Sequence, residues 1–181
     1  MSRIGKKPIV LPAGVSAGIV DDLVKIKGPK GELEVKLPRV VVVKEEAGAL
    51  NVSIPDVEDS RQASYWGLSR TLINNAVVGV TDGYSKKLEL NGVGFRVALK
   101  GADLGLALGF SHPVDFKAPV GIAFNVEGNV ITVSGIDKYI VGETAARIRA
   151  LKPVEPYKGK GMKYVGEYVR RKAGKVAKSG A

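Results

Sequence analysis

The chain has 181 residues, 45% hydrophobic and 25% charged, with a formal net charge of +10. This is a globular composition, long enough for one large domain or two small ones. With no cysteine, disulfides, thiolate metal sites and cysteine nucleophiles are excluded, and no apolar run approaches the ~20 residues needed to span a bilayer.

The opening, MSRIGKKPIV, lacks the apolar core of a signal peptide, so a cytoplasmic location is expected. The positive charge is not spread evenly. Arg3, Lys6 and Lys7 stand without an acid in residues 1–20, residues 152–181 carry nine bases against two acids, and the stretch between is formally neutral. A neutral body with cationic ends suits docking to a polyanion through those ends.

In chain order, Val24–Lys27 and Leu33–Leu37 are short alternating runs joined by Gly28-Pro29-Lys30-Gly31, a hairpin signature. Val40–Lys44 and Leu50–Ile54 follow as strands around a Glu45-Glu46-Ala47-Gly48 turn, and four short strands in a row predict an antiparallel sheet. From Asp59 the period becomes helical, with Asp59 or Ser60 as N-cap and Gln62 placed to complete a capping box on Asp59. The spacing predicts Tyr65, Leu68, Leu72 and Ala76 on the buried face, widened by Trp66 and Ile73. Asp82-Gly83 closes this unit.

A second unit follows the same plan. Tyr84–Leu90 and Phe95–Leu99 flank an Asn91-Gly92-Val93-Gly94 turn, and Leu104–Leu108, Val120–Phe124 and Val130–Val133 are further strands. From Asp137 a helix places Ile140, Thr144 and Ile148 inward, with Val141, Ala145 and Leu151. KEEAGALNVS from Lys44 echoes NVEGNVITVS from Asn125, so an offset of about 80 predicts an internal duplication. The expected fold class is α+β: two similar domains, 1–82 and 83–152, each a small mainly antiparallel sheet packed on one helix, then a basic extension, 153–181.

That extension carries the chemistry. Together with Lys152 just before it, Pro153–Lys175 holds eight Lys or Arg, interleaved with Tyr157, Tyr164 and Tyr168 and offset only by Glu155 and Glu167. Pro153 and Pro156 resist helix, and Gly159 and Gly161 leave the backbone uncovered, so the core of the stretch is expected to be extended or looped. Bare backbone can approach phosphates, lysines supply point charges, and tyrosine faces suit unstacked bases, a combination that points to RNA. The plain alternative is a solvated basic tail, which would have no need of regularly placed tyrosines.

Catalytic and metal sites have little to build on. His112, the only histidine, stands three residues before Asp115 in Ser111-His112-Pro113-Val114-Asp115, which Pro113 makes a loop, and no activated serine in a glycine-flanked elbow accompanies it. Clustered His or Cys ligands are missing. Gly28–Gly31, Gly92–Gly94 and Gly159–Gly161 match neither a dinucleotide fingerprint nor a P-loop. No cofactor, metal or catalytic residue is expected.

Several blocks resemble one family: MSRIGKKPIVLPAGV at the start, KGPKGEL from Lys27, LNGVGFR from Leu90, LGFSHPV from Leu108, VSGIDKYIVGETAARIR from Val133 and PYKGKGMKY from Pro156 to Tyr164. They are similar, nearly throughout and in order, to the L-six family of large-ribosomal-subunit proteins. Val154, Met162 and Phe95 stand where that family commonly has proline, isoleucine and tyrosine, and keep the apolar character. The resemblance implies two similar α/β domains and contact with large-subunit ribosomal RNA through the second domain and tail. It also implies neighbouring large-subunit proteins and a position near the stalk base where translation factors dock. Catalysis, a membrane and homo-oligomers form no part of it. Carried over by position, the RNA contacts centre on Tyr157, Lys158, Gly159, Lys160, Gly161, Lys163 and Tyr164; Arg170, Arg171, Lys172 and Lys175 are added from charge alone. Rival functions are a free-standing RNA-binding or chaperone module and a hydrolase using His112 and Asp115.

Overall fold

A computed structural model describes residues 2–46 and 48–174. It divides into two compact units: the chain up to Tyr84 together with Gly135–Lys138, and Ser85–Ser134 together with the chain from Tyr139 onward. In the first unit six strands, β1 (Ile9–Val10), β2 (Ser16–Val20), β3 (Leu23–Gly28), β4 (Gly31–Lys36), β5 (Val42–Glu46) and β6 (Ala49–Ser53), precede helix α1 (Ser60–Thr81). They form two antiparallel sheets, β2-β3-β4 and β1-β6-β5. Strand alternation sets the buried face: Val24 and Ile26 of β3 and Leu50 and Val52 of β6 point inward, while Lys25 faces Glu34 across the outer surface at 2.6 Å.

The β3–β4 turn also completes the helix. α1 has no basic residue in its last turn. Lys30, at the tip of the turn, supplies one: its backbone N–H donates to Val80 O at 3.0 Å and its ammonium donates to Asp82 O, satisfying carbonyls the helix leaves open. At the other end Asp59 is the N-cap and accepts the Arg61 N–H at 2.8 Å. The expected capping box is replaced by another arrangement. Asp56 Oδ1 takes the Asp59 N–H at 3.3 Å and the Glu58 N–H at 2.9 Å, and Gln62 Oε1 accepts instead from the Asp56 N–H at 3.2 Å.

The phase of α1 differs from the expected one. Trp66, Ser69, Ile73, Ala76, Val77 and Val80 are buried, whereas Tyr65, Leu68 and Leu72 are exposed. This helix is apolar around much of its circumference, so spacing alone could not choose a face. Trp66 chooses it, donating its indole N–H to Val52 O at 2.6 Å with its ring closely covered by Gly5.

The second unit repeats the order with β7 (Tyr84–Asn91), β8 (Arg96–Lys100), β9 (Asp103–Ala107), β10 (Val114–Phe116), β11 (Ile122–Glu127), β12 (Val130–Gly135) and α2 (Lys138–Leu151). The meander β10-β9-β8 matches β4-β3-β2, and β11-β12-β7 matches β5-β6-β1. Buried positions recur at the expected offset: Val24 and Ile26 correspond to Leu104 and Leu106, and Leu50 and Val52 to Ile131 and Val133. The Leu11 N–H bond to Gly48 O has its counterpart in the Leu90 N–H bond to Asn129 O. Val141, Thr144, Ala145 and Ile148 form the buried face of α2, as spacing predicts, with Ile140 and Leu151 at its margin.

Two strand relationships go beyond local sequence. β7 and β8 flank one turn but are not partners, since β7 lies between β12 and a further strand, β13 (Gly161–Tyr164), while β8 pairs with β9. β13 has no counterpart in the first unit's sheets.

One buried atom on α1 stands out. Ser69 is fully buried and its hydroxyl has no hydrogen-bond partner. Burying a hydroxyl unpaired costs about 1–3 kcal/mol, and alanine is also the better helix former. Ser69→Ala is therefore expected to stabilise the protein by about 1 kcal/mol, read as a higher midpoint in urea unfolding.

Candidate nucleic-acid interface

α2 ends at Leu151, just ahead of Pro153, and the chain turns back on itself to form β13. Lys152 O accepts the Met162 N–H at 2.8 Å, the Glu155 N–H donates to Lys160 O at 2.8 Å, and the Gly159 N–H donates to Glu155 O at 3.0 Å, closing a loop over residues 156–160. Met162 is fully buried and pairs with Leu90; Lys163 pairs with Glu89 and Tyr164 with Leu88. The expected extended or looped conformation is therefore present, held from both sides. Gly161 makes the close passage possible: its φ is +132°, and a Cβ there would lie 2.5 Å from Pro153 O and 2.7 Å from Val154 Cα.

Alternate residues of β13 face alternate ways, and so do their N–H groups. The Val165 N–H continues toward β7, reaching Lys87 O at 3.0 Å, while the N–H groups of Met162 and Tyr164 point to the outer edge. Met162 uses Lys152 O, and Tyr164 donates to Glu167 Oε2 at 2.9 Å. Glu167 reaches back across a tight turn in which its own N–H bonds Tyr164 O at 3.0 Å and Gly166 takes a φ of +84°. Its carboxylate also accepts both arms of Arg149, Nε at 3.2 Å and Nη2 at 2.5 Å. Arg149 first, and then the Tyr164 N–H, hold the Glu167 carboxyl below the ordinary glutamate range.

Beyond Glu167 the chain recrosses the 156–160 loop. The Lys172 N–H donates to Pro156 O at 2.9 Å, and the Arg171 guanidinium lies over Gly159. An open groove results, whose lining includes Glu89, Asn91, Lys158, Lys160, Lys163 and Arg171, with backbone at Gly92 and Gly159. Lys163 is tied to Glu89 at 3.4 Å, whereas Lys158, Lys160, Arg170 and Arg171 are exposed.

Of the expected contact residues, Lys158, Gly159, Lys160, Lys163 and Arg171 meet in this groove. Tyr157 is half-exposed at its loop and Arg170 and Lys172 lie on the returning strap. Gly161 is buried beneath Pro153, so it acts through the backbone path. The Tyr164 ring is engaged by Lys86 and Arg149, 5.9 and 5.7 Å from its centroid. Lys175 lies outside the described residues. Asn91 and Gly92, brought to the groove by the β7–β13 pairing, escaped the sequence reading, while Tyr168, 89% exposed, and Lys152, 4.7 Å from the Phe110 ring, were marked by spacing or charge without being assigned.

Elsewhere, the Asp115 carboxylate is bonded to Lys100 at 2.5 Å and His112 is an exposed loop residue. Among the described residues no group of three or more His, Cys, Asp and Glu is placed to hold a metal, and no helix is long and apolar enough to cross a membrane.

The repeated sheets and helices and the cationic groove together define a duplicated α+β protein. A family model described as Ribosomal protein L6 matches residues 11–83 and again residues 91–165. Proteins described as large ribosomal subunit protein uL6 are similar over almost the whole chain. The one from Phenylobacterium zucineum (strain HLK1) is 54% identical, covering 97% of this chain and 99% of its own. Those from Salinispora arenicola (strain CNS-205) and Synechococcus sp. (strain JA-3-3Ab) are each 56% identical, covering 98% and 99% of this chain and 99% of their own. The chain belongs to the ribosomal protein L6 family. It is accordingly a structural ribosomal protein of the cytoplasm and not an enzyme.

The Glu167 clasp has a definite pH signature. Because its folded carboxyl titrates below the unfolded one, its contribution to stability is complete above the ordinary glutamate pKa of about 4.3 and is lost as pH falls through the folded value. Thermal melts between pH 6 and pH 3 should show Glu167→Gln less stable than the parent at pH 6, with the gap closing toward pH 3.

Proposed function

We propose that this protein is a structural constituent of the large ribosomal subunit that binds and consolidates folded large-subunit ribosomal RNA through the groove of its second unit. The observation that carries this is the convergence of Lys158, Lys160, Lys163 and Arg171 around accessible backbone at Gly159 and Gly92. Cations arranged on fixed backbone can neutralise phosphates whose mutual repulsion keeps RNA helices apart. Tyr157 and Tyr168, both exposed, offer faces for unstacked bases, and the Tyr164 ring, held by Lys86 and Arg149, is a third. Arg170 and Lys172, both exposed, extend the positive field.

In this proposal the two modules, 1–82 and 83–152, hold the shape, and the extension 153–181 does the binding. Family resemblance supports a position near the stalk base, close to where translation factors dock, among other large-subunit proteins. Each protein is present as a single copy contacting RNA, without cofactor or metal.

Binding to large-subunit ribosomal RNA should weaken with salt: for about six engaged phosphates, log K falls against log salt with a slope of roughly −4 to −5. Lys160→Ala is expected to weaken binding and reduce the slope by about one unit, whereas Tyr168→Ala should weaken it by about 1–3 kcal/mol with the slope nearly unchanged. Filter binding across a salt series checks both. A slope near zero, or equal slope changes in the two variants, contradicts the assigned roles. In cell extract the protein should sediment with the large subunit after moderate salt washing, which a free-standing RNA-binding module would not do.

A further inference from the structure

Glu167 is a carboxylate on the rim of a surface built from cations. As a point charge it opposes any polyanion that approaches. Yet it receives three donors, two from Arg149 and one from the Tyr164 N–H. Beyond it, Tyr168 to Lys172 form neither helix nor strand. This strap is fastened at its far end by the Lys172 N–H bond to Pro156 O, and at its near end by the Glu167 side chain and the turn at Gly166. Between those two points lie Tyr168, Arg170 and Arg171, with the Arg171 guanidinium across Gly159 and into the groove.

We propose that Glu167 is a positioning residue of the RNA interface, clasped by Arg149 so that the strap 168–172 lies closed over the 156–160 loop and Arg171 is set in the groove before RNA arrives. The inference rests on the proposed RNA-binding role of that groove. A bidentate guanidinium–carboxylate pair is directional as well as attractive, so it fixes where the chain leaves β13. The backbone N–H of Tyr164 points off an open strand edge, and Glu167 satisfies it while steering the chain back. Arg149 cancels the charge of Glu167 locally, so the pair supplies geometry with no net charge. Holding the long cationic side chains near their bound places removes part of the ordering cost at association.

Electrostatics and positioning predict opposite signs, which makes the test sharp. Glu167→Gln removes one negative charge from a cationic surface, so a carboxylate acting only as a charge would bind RNA more tightly once removed. Positioning predicts weaker association, roughly fivefold to tenfold, with the slope of log K against log salt preserved because no phosphate-binding cation is lost. The full-length parent and variant are compared by filter binding on large-subunit ribosomal RNA transcript, alongside trypsin cleavage after Arg170, Arg171 and Lys172, which should be faster in the variant. Arg149→Lys keeps every charge but breaks the bidentate bond, and should show the same weakened binding and faster cleavage, which keeps the test open if Glu167→Gln fails to fold. Unchanged or tighter binding by the folded variants, with the parent binding normally, overturns the positioning role and leaves the groove intact as an RNA site. A parent that does not bind the transcript at all overturns the RNA-binding proposal itself.

Discussion

The cationic surface depends on one backbone pairing, Gly161–Tyr164 laid antiparallel against β7 with Met162 buried beneath it. Charged, glycine-rich chain tends to stay disordered, because fixing each residue costs about 1–2 kcal/mol of conformational entropy and charged side chains bury little in return. Here the ladder to β7, the bonds to Lys152 and Lys160 backbone oxygens, and the fully buried Met162 offset that cost. Met162 alone contributes about 1.5–3 kcal/mol by leaving water. Once β13 is fixed, its flanking residues follow: Lys160 on one side, Glu167 and the strap on the other.

Gathering like charges in one groove works against folding. Lys158, Lys160, Lys163 and Arg171 repel one another, and of the carboxylates nearby Glu89 is paired with Lys163 and Glu167 with Arg149. These pairs are only partly buried, so water still screens their attraction and much of their value is in direction. The remaining cations are left with a repulsion that a polyanion relieves. Charge density and fixed geometry are thus two aspects of one construction, with the strand ladder opposing the repulsion among the gathered cations.

Duplication explains how such a surface could arise on an otherwise neutral body. The two units share a three-stranded meander, a second sheet and a helix, down to matching backbone bonds at Leu11 and Leu90. They differ in β13, which extends the second sheet of the second unit to four strands. The two units share the scaffold, and the edge strand β13 is what holds the basic chain against the second of them. The exposed face of α1, with Tyr65, Leu68 and Leu72, marks where the first unit departs from simple helical patterning.

Much of this was legible in the sequence. Local chemistry sufficed wherever the deciding forces act over a few residues: alternation for β3 and β6, Gly28–Gly31 for the hairpin, Asp59 for the cap, the offset of about 80 for the repeat, and Pro153 with the glycines for the loop that carries Lys158 and Lys160. Tertiary structure decided the rest. It chose the phase of α1 through the Trp66 bond to Val52, the neighbours of β7 in preference to the adjacent β8, and the pairing of Glu167 with Arg149. Each of these is settled by a partner far away in the chain, and a hydrogen bond between distant segments leaves no periodic trace in either. The sequence determined which residues carry charge and where chain direction can reverse; only folding determined which of those charges would face one another.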